Sequence, residues 1–135
     1  MEFFLTGKPG ERGRFVAAFE NFCRWFEVPE SARQAADLAL EEHLTNVLNY
    51  GFTDGEERWV AVRLIVDNKA LHAQVSDTGK AYDPLSEPLV DTSIPLEEKP
   101  IGGLGIYLMR QSMDDLTYVR EEGRNVLRMT KEFGG

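Results

Sequence analysis

Val60-Ala-Val-Arg-Leu-Ile-Val-Asp-Asn-Lys-Ala-Leu-His-Ala-Gln-Val-Ser-Asp77 is the stretch on which the fold turns. Val60, Val62, Leu64 and Val66 alternate with other residues, and Leu71, Ala73 and Val75 alternate again after Asp67-Asn68. Period-two alternation buries one face of a strand, and Asp-Asn is turn chemistry. The pattern therefore predicts two antiparallel strands joined tightly, ending at Asp77. Upstream, Phe15, Phe19, Phe22 and Phe26 recur at helical intervals and predict a helix over 11–27 with an apolar stripe, read as core packing. Pro29 and Glu30 open a second helix that meets no breaker before Tyr50 and is capped by Gly51. Residues 2–6 read as an edge strand and Thr53-Asp54-Gly55 as a turn. Downstream, residues 78–101 lack any period and hold Pro84, Pro88, Pro95 and Pro100, so they read as a long loop of the lid or binding type. A helix over 104–115 and strands over 116–121 and 124–133, turning at Glu122-Gly123, complete the chain. The expectation is an α+β two-layer sandwich with helices on one face of a mostly antiparallel sheet, a single domain over 1–135.

The whole-chain quantities narrow the function. The 135 residues suit one domain, and 42% hydrophobic with 28% charged residues is ordinary for a globular chain. Acids outnumber bases 23 to 15, for a net charge of −8, with no basic cluster to replace phosphate counterions. Direct nucleic-acid binding is not expected. Cys23 is the single cysteine and reads as a buried apolar residue. No apolar run approaches the roughly 20 residues that span a bilayer, and no secretory signal opens the chain. The expectation is a cytoplasmic, reduced protein.

Three segments carry more than a core requires. In Ala39-Leu-Glu-Glu-His-Leu-Thr-Asn-Val-Leu-Asn-Tyr50, Glu42 and Asn46 stand four apart and share a helix face. An asparagine oxygen suits Mg²⁺, and a carboxylate beside it can take a hydroxyl proton. In Val75-Ser-Asp-Thr-Gly-Lys-Ala-Tyr-Asp-Pro84, Asp77 falls where strand meets loop and can accept from an exocyclic amine such as that of adenine. Gly79 there allows close approach to the backbone. In Pro100-Ile-Gly-Gly-Leu-Gly-Ile-Tyr-Leu-Met109, glycines run into a helix whose free N–H groups favour phosphate oxygens. Taken singly, a solvent-facing Glu/Asn pair, an Asp-x-Gly turn and a glycine hinge explain them as well. The Gly-x-x-x-x-Gly-Lys-Ser/Thr pattern is absent, so this is no P-loop.

Their order along the chain is more specific. A helical Glu-x-x-x-Asn, then Asp-x-Gly after a strand, then a long loop into Gly-Gly-Leu-Gly closely resembles the GHKL (Bergerat-fold) ATPases over about residues 10–133. Within that superfamily the details look like the bacterial anti-sigma factor serine kinases, down to Met113-Asp-Asp115 and the closing Gly123-Arg-Asn-Val-Leu-Arg-Met-Thr-Lys131. The resemblance implies ATP and Mg²⁺ as cofactors, with Asn46 on the metal and Glu42 as general base. Asp77 would meet the adenine amine, with room given by Gly79. Gly103 and Gly105 would meet the phosphates within an ATP-binding run Gly102-Gly103-Leu104-Gly105, under a lid at 85–101. Asn125 or Thr130 on the last strand would support Asp77, and Thr130 is counted with the ATP-binding residues. Two positions need separate treatment. Tyr50 replaces the histidine that many relatives carry, and Glu41 neighbours the assigned base but is rotated about 100° from it.

The function that follows is a serine protein kinase and anti-sigma factor. It would bind a sigma factor and phosphorylate a serine of a STAS-type anti-anti-sigma antagonist. The alternative is a nucleotide-gated partner-switch module without kinase activity. A histidine-kinase core is a weaker reading, because His43 and His72 sit in the second helix and a strand and no segment remains for a phosphoacceptor hairpin. Dimerisation is left open.

Overall fold

The alternating hairpin becomes the middle of a five-stranded sheet in a computed structural model that describes residues 1–52, 59–86 and 103–134. Strand β1 (Glu2–Thr6) is followed by helices α1 (Glu11–Trp25) and α2 (Glu30–Tyr50). Strands β2 (Trp59–Val66) and β3 (Ala70–Asp77), a single 3-10 turn at Pro84–Ser86, helix α3 (Gly103–Ser112) and strands β4 (Asp115–Glu121) and β5 (Arg124–Glu132) follow. The sheet order is β1-β2-β3-β5-β4, every neighbouring pair antiparallel. This is the expected α+β sandwich.

One face of the sheet makes the core. Leu5, Val60, Val62, Leu64, Leu71, Ala73, Val75, Leu127 and Met129 join Phe15 and Phe19 of α1, Leu40, Leu44 and Val47 of α2, and Met109 of α3 in one buried cluster. Phe15, Phe19 and Phe22 of the aromatic stripe are therefore packing, with Phe15 and Phe19 stacked at 6.1 Å, whereas Phe26 falls just past the end of α1 and is 46% exposed. Cys23 is buried with it, and burial pushes its thiol up to about 11. Among the described residues no helix is long and apolar enough to cross a membrane.

Several boundaries differ from the sequence expectation, each for a local reason. Helix α1 stops at Trp25, two residues early, because Glu27 takes a left-handed φ of 54° and the Val28 N–H turns back to the Cys23 carbonyl at 2.9 Å. Pro29 is the N-cap of α2 rather than its first helical residue. Helix α3 ends at Ser112, because the Asp114 N–H already bonds Thr130 of β5 at 2.9 Å. The β2–β3 turn is held by Asp67, whose Oδ1 accepts from the Lys69 and Ala70 amides at 2.9 and 2.8 Å. At the other hairpin Glu122 and Gly123 both have positive φ, the type I′ pattern that matches strand twist. Thr53-Asp54-Gly55, expected as a turn, Gly102, and the part of the expected lid beyond Ser86 lie outside the described residues.

Candidate functional site

The last residue of β3 is the best-defined feature. Asp77 pairs in register with Val60 and Asn125, faces the helical layer and is 1% exposed. Its Oδ1 accepts from the Gly79 N–H at 2.9 Å and the Asn125 Nδ2 at 3.0 Å. Its Oδ2 is buried without a hydrogen-bond partner among the described residues. Burial holds the carboxyl above its usual range, opposed by the Asn125 and Gly79 bonds and by the nearby Arg120 charge. Leaving a buried acceptor unmet costs about 1–3 kcal/mol, so Oδ2 fits a donor brought by a ligand, such as an amino group on a purine. The loop that follows is anchored rather than loose. The Lys80 N–H bonds the Gly51 carbonyl at 2.9 Å, and Gly79 lies so close to that carbonyl that a Cβ would overlap it. Arg120 Nη1 donates to the Gly79 carbonyl at 2.8 Å.

Gly51 is also the C-cap of α2, so this helix carries the site from the Asp77 loop toward α3. Asn46 is buried at 9% exposure, one turn before the helix ends. A further turn back, Glu42 packs against α3, where a Cβ on Gly105 would overlap its carboxylate. Glu42 and Gly51 are nine residues apart, about 14 Å along the axis, a span on the scale of a nucleoside triphosphate. Glu41 points elsewhere, exposed and paired with Arg12 of α1 at 3.5 Å. Helix α3 starts at Gly103 with no acidic residue in its first turn, so its free N–H groups form a positive end beside Glu42. Between Glu42 and Asn46, His43 is 3% exposed; burial pulls its imidazole down to about 4 and its Nδ1 finds no partner among the described residues.

The candidate residues Glu42, Asn46, Asp77, Gly79, Gly103, Leu104 and Gly105 are thus strung along or beside α2. Thr130 is not among them. It lies five residues after Asn125 on β5, and an odd spacing puts it on the opposite face of the sheet. There its Oγ1 sits 3.1 Å from His72 Nδ1, while His72 Nε2 meets Asp67 at 3.0 Å. Thr130 is therefore removed from the ATP-binding set, and Asn125 is the residue that meets Asp77. Tyr50 closes α2, but its side chain lies outside the described residues. Sequence reasoning missed Tyr118 and Arg120 on β4. Their only signal was the Glu122-Gly123 turn, which sets Arg120 opposite Asn125 and Tyr118 opposite Leu127. At the other end, Arg110 of α3 bonds the Leu85 carbonyl and ties the 3-10 turn at Pro84–Ser86 to the helix.

A sequence profile of the histidine kinase-like ATPase domain matches residues 6–131. The chain belongs to that family. This ATPase domain is 34% identical over 96 residues to the serine/threonine-protein kinase BtrW of Bordetella bronchiseptica, covering 69% of this chain and 66% of that protein. It is 31% identical over 98 residues to the serine-protein kinase RsbW of Listeria monocytogenes, covering 70% and 62%. The RsbW of Bacillus anthracis is 33% identical over 98 residues, covering 70% and 60%. The chain thus spans a little under two thirds of the length of these relatives.

Proposed function

We propose that this ATPase domain is a serine protein kinase and anti-sigma factor. It binds a sigma factor, and it moves the γ-phosphoryl group of ATP to a serine of a STAS-type anti-anti-sigma antagonist. The observation that carries the kinase reading is the packing of the Glu42 carboxylate against Gly105, where α3 begins. That contact sets a proton acceptor beside a positive helix end suited to phosphate. The relatives named serine-protein kinases support the phosphoacceptor class. The partner pair rests on the resemblance of the three motif segments to the anti-sigma kinases.

In this reading the base seats at Asp77, whose free Oδ2 accepts the adenine amine, and the phosphates seat at the Gly103–Gly105 end of α3. Asn46 lies between them with a neutral oxygen donor, a donor type that suits Mg²⁺. Bound there, Mg²⁺ would neutralise phosphate charge. Glu42 accepts the proton from the antagonist serine as its oxygen forms the new bond to the γ-phosphorus; the bond to the bridging oxygen breaks and ADP leaves. The protein's contribution is positioning and charge placement, because phosphoryl transfer asks little covalent chemistry of it.

The test is incubation of the chain with labelled ATP and a purified STAS-domain antagonist. Label on a serine of that protein is expected for the wild type. It should fall by about 10²–10⁴ in Glu42→Ala, which keeps ATP binding. Complex formation without label would favour the partner-switch module instead, and undiminished labelling by Glu42→Ala would remove the base assignment.

A further inference from the structure

Asn125 does more than touch Asp77. Its Nδ2 donates to Asp77 Oδ1 at 3.0 Å and to the Lys80 carbonyl at 2.8 Å. Its Oδ1 accepts from the Tyr118 hydroxyl at 2.5 Å and from the Tyr82 N–H at 3.1 Å. A primary amide has two donor hydrogens and an oxygen with two acceptor sites, and here all four are used, at 5% exposure. Two of the partners cannot change role: a backbone carbonyl only accepts, and a backbone N–H only donates. Rotating the amide by 180° would set N–H against N–H at Tyr82 and oxygen against oxygen at Lys80 and Asp77. The network therefore fixes the orientation of the amide.

The consequence falls on Asp77. With Gly79 and Asn125 both donating to Oδ1, that oxygen is saturated and Oδ2 is the one left to face a ligand. Both donations favour the ionised carboxylate against the burial that disfavours it. An ionised carboxylate accepts and cannot donate, so it attracts an amino group and repels a carbonyl oxygen. We infer that Asn125 is a positioning residue that sets nucleobase specificity, holding Asp77 as a pure acceptor that selects a 6-aminopurine over a 6-oxopurine. The inference rests on the reading that Asp77 meets the nucleobase. It extends that reading to β4, because the Tyr118 hydroxyl closes the network that orients Asn125.

Calorimetric titration with three nucleotides tests it: ATP, purine riboside triphosphate (which lacks the 6-amino group) and inosine triphosphate. The wild-type chain should bind ATP at least about tenfold more tightly than the 6-desamino analogue, as expected for a hydrogen bond to a charged group, and inosine triphosphate more weakly still. Asn125→Ala should lower ATP affinity toward that of the analogue while leaving analogue affinity within about threefold. A merely structural loss would weaken all three nucleotides together. Tyr118→Phe removes one bond from the network and should give an intermediate ratio. If the wild type does not distinguish ATP from the analogue, the Asp77 reading itself fails. If it does, and Asn125→Ala keeps the full ratio, the specificity role of Asn125 is overturned. Should Asn125→Ala not fold, an unchanged ratio in Tyr118→Phe overturns it equally.

Discussion

Glu42 and Gly105 are a pair in which one residue makes room for the other. The carboxylate occupies the volume a side chain on Gly105 would need. Gly105→Ala should therefore displace Glu42, a flexible side chain, without disturbing the helix backbone. The expected outcome is a fall in phosphoryl transfer of about 10² or more with a small change in melting temperature. Kinetics of antagonist labelling beside thermal melts check it; a stable variant with wild-type transfer would contradict the contact's importance. His43 gives a second prediction at this scale. It is held neutral down to about 4, whereas the unfolded chain takes a proton near 6.5. The unfolded state therefore binds more protons between those values, and stability falls as pH drops from 6.5 toward 4. The full effect is about 3 kcal/mol. Denaturant titrations across this range should show the slope, and His43→Gln should flatten it.

At the scale of elements, backbone chemistry explains both what was readable and what was not. The β2–β3 hairpin was legible because alternation and Asp67-Asn68 act within a few residues, and the phenylalanine stripe of α1 for the same reason. The end of α1 was not legible. It depends on Glu27 adopting a left-handed conformation that glycine usually supplies, and nothing in Phe26-Glu27-Val28 announces it. Glu27→Gly should accordingly stabilise the chain by about 1 kcal/mol, the left-handed strain exceeding the entropy cost of glycine. Urea denaturation reads this directly; a destabilised variant would place the strain elsewhere. Thr130 was misplaced for a different reason. Which face a residue on β5 occupies is set by its register against β3, and that pairing spans some 50 residues of sequence. Counting from Asn125, the alternation excludes Thr130 from the site.

The molecule as a whole places one long helix between the Asp77 loop and the glycine start of α3, the proposed seats of the base and the phosphates. The three motif segments lie far apart in sequence and meet because the C-cap of α2, Gly51, bonds the loop that follows β3 while α2 also packs on α3. Their order was readable; the Asn125 network that holds Asp77 was only glimpsed, since its members come from β3, β4, β5 and the loop after β3. At this scale Asn46→Ala should remove the Mg²⁺-dependent part of ATP affinity and leave the metal-free part nearly unchanged, measured by titration with and without the metal. Asp77 is the proposed acceptor for the nucleobase of ATP, and calorimetric titration of ATP, in Mg²⁺, into the wild-type chain and Asp77→Asn tests that role without intermediaries. Saturable binding by the wild type is expected, with a loss of about 10- to 100-fold in the variant, the worth of a hydrogen bond to a charged group. Equal affinity in the two proteins would contradict it.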